Sequence, residues 1–137
     1  KGEYISIDKI LEKNKLDKVT GSHIPLKNFL RANEIILPKA SKLLEKKVVV
    51  FDGNFYLKKQ LQHLLRGLKS KHYVFTLRAP LTTCIERDSK RERIYGKGAT
   101  KAVYNLVEKF DYGTVIETYG KKSNSVVKEI LNKLPKN

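Results

Sequence analysis

The stretch "KKVVVFDGN" (Lys46–Asn54) decides the fold. Val48, Val49, Val50 and Phe51 form an uninterrupted apolar run that stops at an acid, Asp52. A run without polar alternation predicts a strand buried on both faces of a parallel sheet. Before it, Phe29, Asn33, Ile36, Leu37, Ala40, Leu43 and Leu44 recur at helical spacing, predicting a helix from Pro25 to about Glu45 with a kink at Pro38. After it, Asn54 is placed to cap a helix whose stripe is Leu57, Leu61, Leu64, Leu65 and Leu68.

The same alternation extends in both directions. Tyr4 to Ile7 is a short apolar run ending at Asp8, with a helix predicted over about Lys9 to Lys15. "HYVFTL" and "TVIET" read as further strands. Pro80 starts a helix, and Val103, Leu106, Val107 and Phe110 mark another. Val126, Val127, Ile130, Leu131 and Leu134 mark a closing one. Strands alternating with helices throughout predict an α/β fold, a parallel sheet covered by helices and joined by right-handed crossovers.

With 137 residues the chain suits one domain. Lys and Arg total 29 against 14 Asp and Glu, a net charge of +15 that attracts phosphates, nucleic acid or acidic surfaces. A solvated lysine-rich surface, as in heat-adapted proteins, is the competing explanation. The single cysteine, Cys84, excludes an internal disulfide and a multi-cysteine zinc site, and fits a core thiol in a reducing cytoplasm. No apolar run is long enough to span a membrane, and no signal peptide is visible. The sequence contains no methionine, which predicts a native start upstream of Lys1.

Two predicted strands end in acids, Asp8 and Asp52. Carboxylates at the C-terminal edge of a parallel sheet can converge to hold Mg²⁺ with its water shell or to take a proton from a hydroxyl; the plainer alternative is that each caps the next helix. In "IERDSKRER", Arg87 and Arg91 would share a helix face and suit phosphoryl oxygens, while Glu86, Asp88 and Glu92 among them would suit a self-neutralising surface helix. Gly120, Lys121 and Ser123 imitate a phosphate loop but miss the pattern G-x-x-x-x-G-K-[ST]. His23, His63 and His72 have no ligand spacing and read as surface or strand-end residues.

Taken in order, "YISIDKI", "VVVFDGNFY", "LRAPLTTCIERDSKRER" and "TVIET" resemble the P-loop kinases of small molecules and nucleic-acid ends, the group holding polynucleotide kinases, zeta-toxin-type kinases and shikimate-kinase-like enzymes. The likeness covers nearly the whole chain in order of elements. It implies a three-layer P-loop NTPase-like sheet and transfer of a phosphoryl group from ATP, with Mg²⁺, to a hydroxyl of a small molecule or nucleic-acid end. Asp8 matches the acid that contacts the acceptor hydroxyl, and Asp52 the Walker-B-like metal position. Arg87 and Arg91 match the phosphate-gripping lid, about residues 87–98, and Arg31 lies where such kinases hold substrate.

The chain departs from that pattern in lacking the Walker A loop with its strand and helix, the central strand of the implied sheet. Residues 1–137 therefore read as a partial kinase domain, inactive alone, with a Walker A unit expected upstream of Lys1. The alternative is a non-catalytic basic nucleic-acid-binding or regulatory module of the same fold.

Overall fold

The structure, a computed structural model, describes residues 1–109 and 112–136. It is α/β, with four strands and six helices among the described residues. These divide into two compact units, Lys1–Lys71 and His72–Asn137. The strands form two separate two-stranded parallel pairs, one in each unit.

In the first unit, strand β1 (Gly2–Ser6) leads directly into helix α1 (Ile7–Lys13). The switch occurs at Ser6, whose Oγ accepts the Lys9 N–H at 3.3 Å and satisfies one of the open donors of the first turn. Helix α2 (Leu26–Leu44) starts behind Pro25 and continues through Pro38, whose exposed position lets the missing N–H bond be solvated on the outer face. Strand β2 is Val48–Asp52, and helix α3 is Lys58–Leu68.

β1 and β2 pair from Gly2 opposite Val48 to Ser6 opposite Asp52. That register turns Ile5, Val49 and Phe51 toward α2 and α3, where Ile36, Ala40, Leu64 and Leu68 complete the core. Gly67 allows the two helices to approach closely, since a Cβ there would meet Leu37 Cδ1 at 2.6 Å. Leu64 is 1% exposed, and burying such a side chain stabilises the unit by about 2 kcal/mol.

The other sheet face corrects the expectation of a strand buried on both sides. Val48 is 70% exposed and Val50 53%, beside an exposed Tyr4. The apolar run therefore reflects a face that nothing covers among the described residues. Asn54 is also not a cap, because α3 starts four residues later, behind Leu57.

In the second unit, strand β3 (Phe75–Arg78) pairs in parallel with β4 (Thr114–Glu117). Backbone bonds from Thr114 N to Val74 O (2.9 Å) and Thr118 N to Arg78 O (2.7 Å) extend the ladder at both ends. Helices α4 (Leu81–Ser89) and α5 (Lys97–Val107) follow β3, and α6 (Ser123–Lys133) follows β4. Val126 of α6 and Ile116 of β4 are both buried. Phe110, expected on the α5 stripe, lies outside the described residues.

Candidate acceptor-side site

Where β1 and β2 end, four polar side chains gather. Tyr4, Ser6 and Asp52 lie on one face of the strand pair, with Ser6 directly opposite Asp52. The Tyr4 hydroxyl donates to Asp52 Oδ2 at 2.6 Å. Its pKa is raised, chiefly because ionisation would break that bond, with desolvation and the charges of Asp52 and Asp8 adding to the effect. Asp8 thus lies within electrostatic reach of the same hydroxyl.

Asp8 gets there differently from what the run "YISI" suggested. It sits in the first turn of α1, not at the end of the strand, because β1 closes at Ser6 and Ser6 takes the cap. An acid in a first turn also gains from the positive end of the helix dipole. The residue that faces Asp52 across the ladder is Ser6, and neither Ser6 nor Tyr4 was singled out by the sequence.

The loop before α2 packs on Tyr56. The turn Thr20–His23 is closed by Thr20 N to His23 O at 3.0 Å, with Gly21 in the left-handed region at φ +71°. The His23 ring packs against Tyr56, with centroids 5.6 Å apart, and Phe29 meets Tyr56 edge-on at 5.2 Å. Tyr56 is 5% exposed, and its hydroxyl accepts the Ile24 N–H at 3.0 Å.

Burial pushes the Tyr56 pKa up, the Ile24 bond opposes this, and Asp8 adds to the rise. His23 Nδ1 lies 2.7 Å from the Ile24 carbonyl, which can only accept. That bond places a proton on Nδ1 and leaves Nε2 of the neutral ring as an acceptor. The half-buried His23 ring is held between this bond and the Tyr56 ring. Nothing in its sequence spacing signalled this, since the contact with Tyr56 joins segments 33 residues apart.

Arg31 is exposed on α2 and ion-paired with Glu34 at 3.1 Å. Asp52 is exposed, with Oδ2 engaged by Tyr4. Among the described residues no three His, Cys, Asp or Glu side chains form a metal-binding group.

The arginines belong to the second unit. Arg87 donates from Nη1 to Thr118 Oγ1 (2.8 Å) and from Nη2 to the Thr118 carbonyl (3.1 Å), which ties α4 to the end of β4. Arg91 does not share a helix face with it, because α4 ends at Ser89 and Arg91 follows in the turn. The cause is Asp88, 6% exposed, whose carboxylate accepts the N–H groups of Tyr95 (3.2 Å) and Gly96 (2.9 Å) and folds the chain back. Asp88 thus serves the loop's backbone, and Glu86 is ion-paired with Lys90 at 2.9 Å. Cys84 is a free, partly buried thiol 3.8 Å from the Ala79 carbonyl.

No protein-family model, curated protein or solved structure matches the chain. No helix among the described residues is long and apolar enough to cross a membrane.

Proposed function

We propose that the chain carries the acceptor-side half of a phosphoryl-transfer site of P-loop kinase type, whose ATP phosphate-binding strand, loop and helix are supplied from outside these 137 residues. The observation that carries the reading is the meeting of Tyr4, Ser6 and Asp52 at the C-terminal ends of two parallel strands, with Asp8 in electrostatic reach of the Tyr4 hydroxyl, at the edge where open α/β sheets bind ligands. Asp8 would orient and deprotonate the acceptor hydroxyl. Asp52 would hold a metal-bound water, its carboxylate steered by Tyr4. Mg²⁺ would supply charge neutralisation at the transferring phosphoryl group.

The strand pairing also favours this reading. In the sheet the resemblance implies, the phosphate-binding strand separates two parallel pairs, one from the second and third strands and one from the fourth and fifth. The pairs here are β1–β2 and β3–β4, and β2 has no further partner among the described residues. Arg87 and Arg91 are assigned to the phosphates, and Arg31 to the acceptor, by resemblance alone.

Calorimetry with Mg-ATP tests the proposal. The 137-residue chain should bind too weakly to measure, and a protein extended by a G-x-x-x-x-G-K-[ST] unit should bind and turn over. Sub-micromolar binding by the chain itself would overturn it.

A further inference from the structure

The end of α2 and the link into β2 hold a different kind of surface. Lys39, Lys42, Lys46 and Lys47 line an open cavity of about 240 Å³, completed by Leu43 and Glu45. Lys39 and Lys42 lie one turn apart, and the closing bonds Lys46 N to Leu43 O (3.1 Å) and Lys47 N to Leu43 O (2.9 Å) carry the row onward. Lys47 is paired with Glu3, whose carboxyl it holds low. Lys39, Lys42 and Lys46 form no ion pair among the described residues. Four lysines against Glu45, Glu3 and about half a negative charge from the helix end leave the surface positive by about 1.5 charges.

We propose that this surface binds the phosphodiester backbone of a nucleic acid strand. Lysine ammoniums are point charges without the bidentate fork that fixes one phosphate, so a row of them suits successive phosphates. Lys39 and Lys42 stand one helical turn apart and Lys46 follows in the turn after α2, so the ammoniums succeed one another along the surface as the phosphates of a strand do. The cavity is open, as an extended polymer needs, and its one apolar side chain, Leu43, is too little for insertion into a lipid surface. The surface lies at the N-terminal end of β2, about 13 Å along the strand from Asp52, so it holds polymer without occupying the candidate site. The proposal stands whether or not Asp8 is catalytic.

The test is fluorescence anisotropy of a labelled oligouridylate of about 20 nucleotides between about 50 and about 200 mM KCl. Lys39→Gln/Lys42→Gln/Lys46→Gln is compared with the charge-matched Lys128→Gln/Lys133→Gln/Lys136→Gln. Loss of three phosphate contacts should lower the log–log salt slope by about 2 and weaken binding about a hundredfold at 0.1 M salt, with less than about a threefold change in the control. Equal losses in the two variants overturn the proposal in favour of diffuse surface charge. No oligonucleotide binding by the wild type, or lysine-dependent binding of phosphatidylserine vesicles in its place, overturns it as well.

Discussion

The Tyr4 hydroxyl bridges from β1 to the Asp52 carboxylate on β2 at 2.6 Å, two rungs along the ladder from Tyr4's own partner, Val50. The carboxylate accepts this bond only while the phenol keeps its proton, so ionisation of the hydroxyl is opposed. The Tyr4 pKa is raised, so the bond's contribution is complete below a tyrosine's ordinary pKa of about 10 and is lost as pH climbs through the higher folded value. Tyr4 is 61% exposed, which keeps the contribution to stability small. In an NMR titration of ring-labelled tyrosine, Asp52→Asn should bring Tyr4 back toward the ordinary range while Tyr112, raised by burial, stays where it is. An unchanged Tyr4 titration would break the link between the two residues.

Under the kinase reading, Asp8→Asn in the protein carrying a Walker A unit should lower turnover by about 10²- to 10⁴-fold with ATP affinity nearly unchanged. His23→Ala should raise the KM for the acceptor more than it lowers kcat, because its ring packs on Tyr56, which is in electrostatic reach of Asp8. Steady-state kinetics with varied acceptor separates the two, and full activity in Asp8→Asn removes that carboxylate from the mechanism.

Between α2 and α3, Asn33 and Gln60 are both fully buried. Asn33 Nδ2 donates to the Gln60 carbonyl at 3.0 Å and lies 3.2 Å from His63 Nδ1, while both amide atoms of the Gln60 side chain lack a partner. Gln60→Met keeps the volume and removes two unsatisfied groups, so it should stabilise by about 1–2 kcal/mol. Asn33→Ala removes the bond to the Gln60 carbonyl and opens a cavity between the helices, and should cost about 1–3 kcal/mol. Urea melts give both signs, and a loss in Gln60→Met would mean that buried water already satisfies that amide.

Gly113 has φ +61°, and an added Cβ would collide with the Val74 carbonyl oxygen beside the first rung of β3–β4. Gly21 has a similar φ, +71°, with open space around it. Gly21→Ala should cost about 1–2 kcal/mol for the left-handed backbone alone, and Gly113→Ala at least about 2 kcal/mol more, because the obstacle is backbone. Equal thermal shifts in the two variants would contradict the close approach.

Asp88→Ala removes the acceptor for two backbone N–H groups, at a cost of about 1–3 kcal/mol, and should free the segment after α4. Limited trypsin digestion should then cut faster at Lys90, Arg91 and Arg93. Asp88→Asn keeps one acceptor oxygen and should fall between Ala and wild type.

Periodicity and composition by themselves determined the α/β class, the extents of α2 and β2 to within a residue or two, and the two acids after the first two strands. These follow from local rules: a helix repeats its apolar side chains every three to four residues, and a strand run ends where a charge must meet water. Tertiary structure alone decided what surrounds those acids. Tyr4 meets Asp52 across 48 positions and Arg87 meets Thr118 across 31, contacts set by strand register and helix packing that leave no mark on sequence spacing. The same holds for the naked face of β2. An apolar run records that a strand is built to be covered, and only the packing shows that Val48 and Val50 are not.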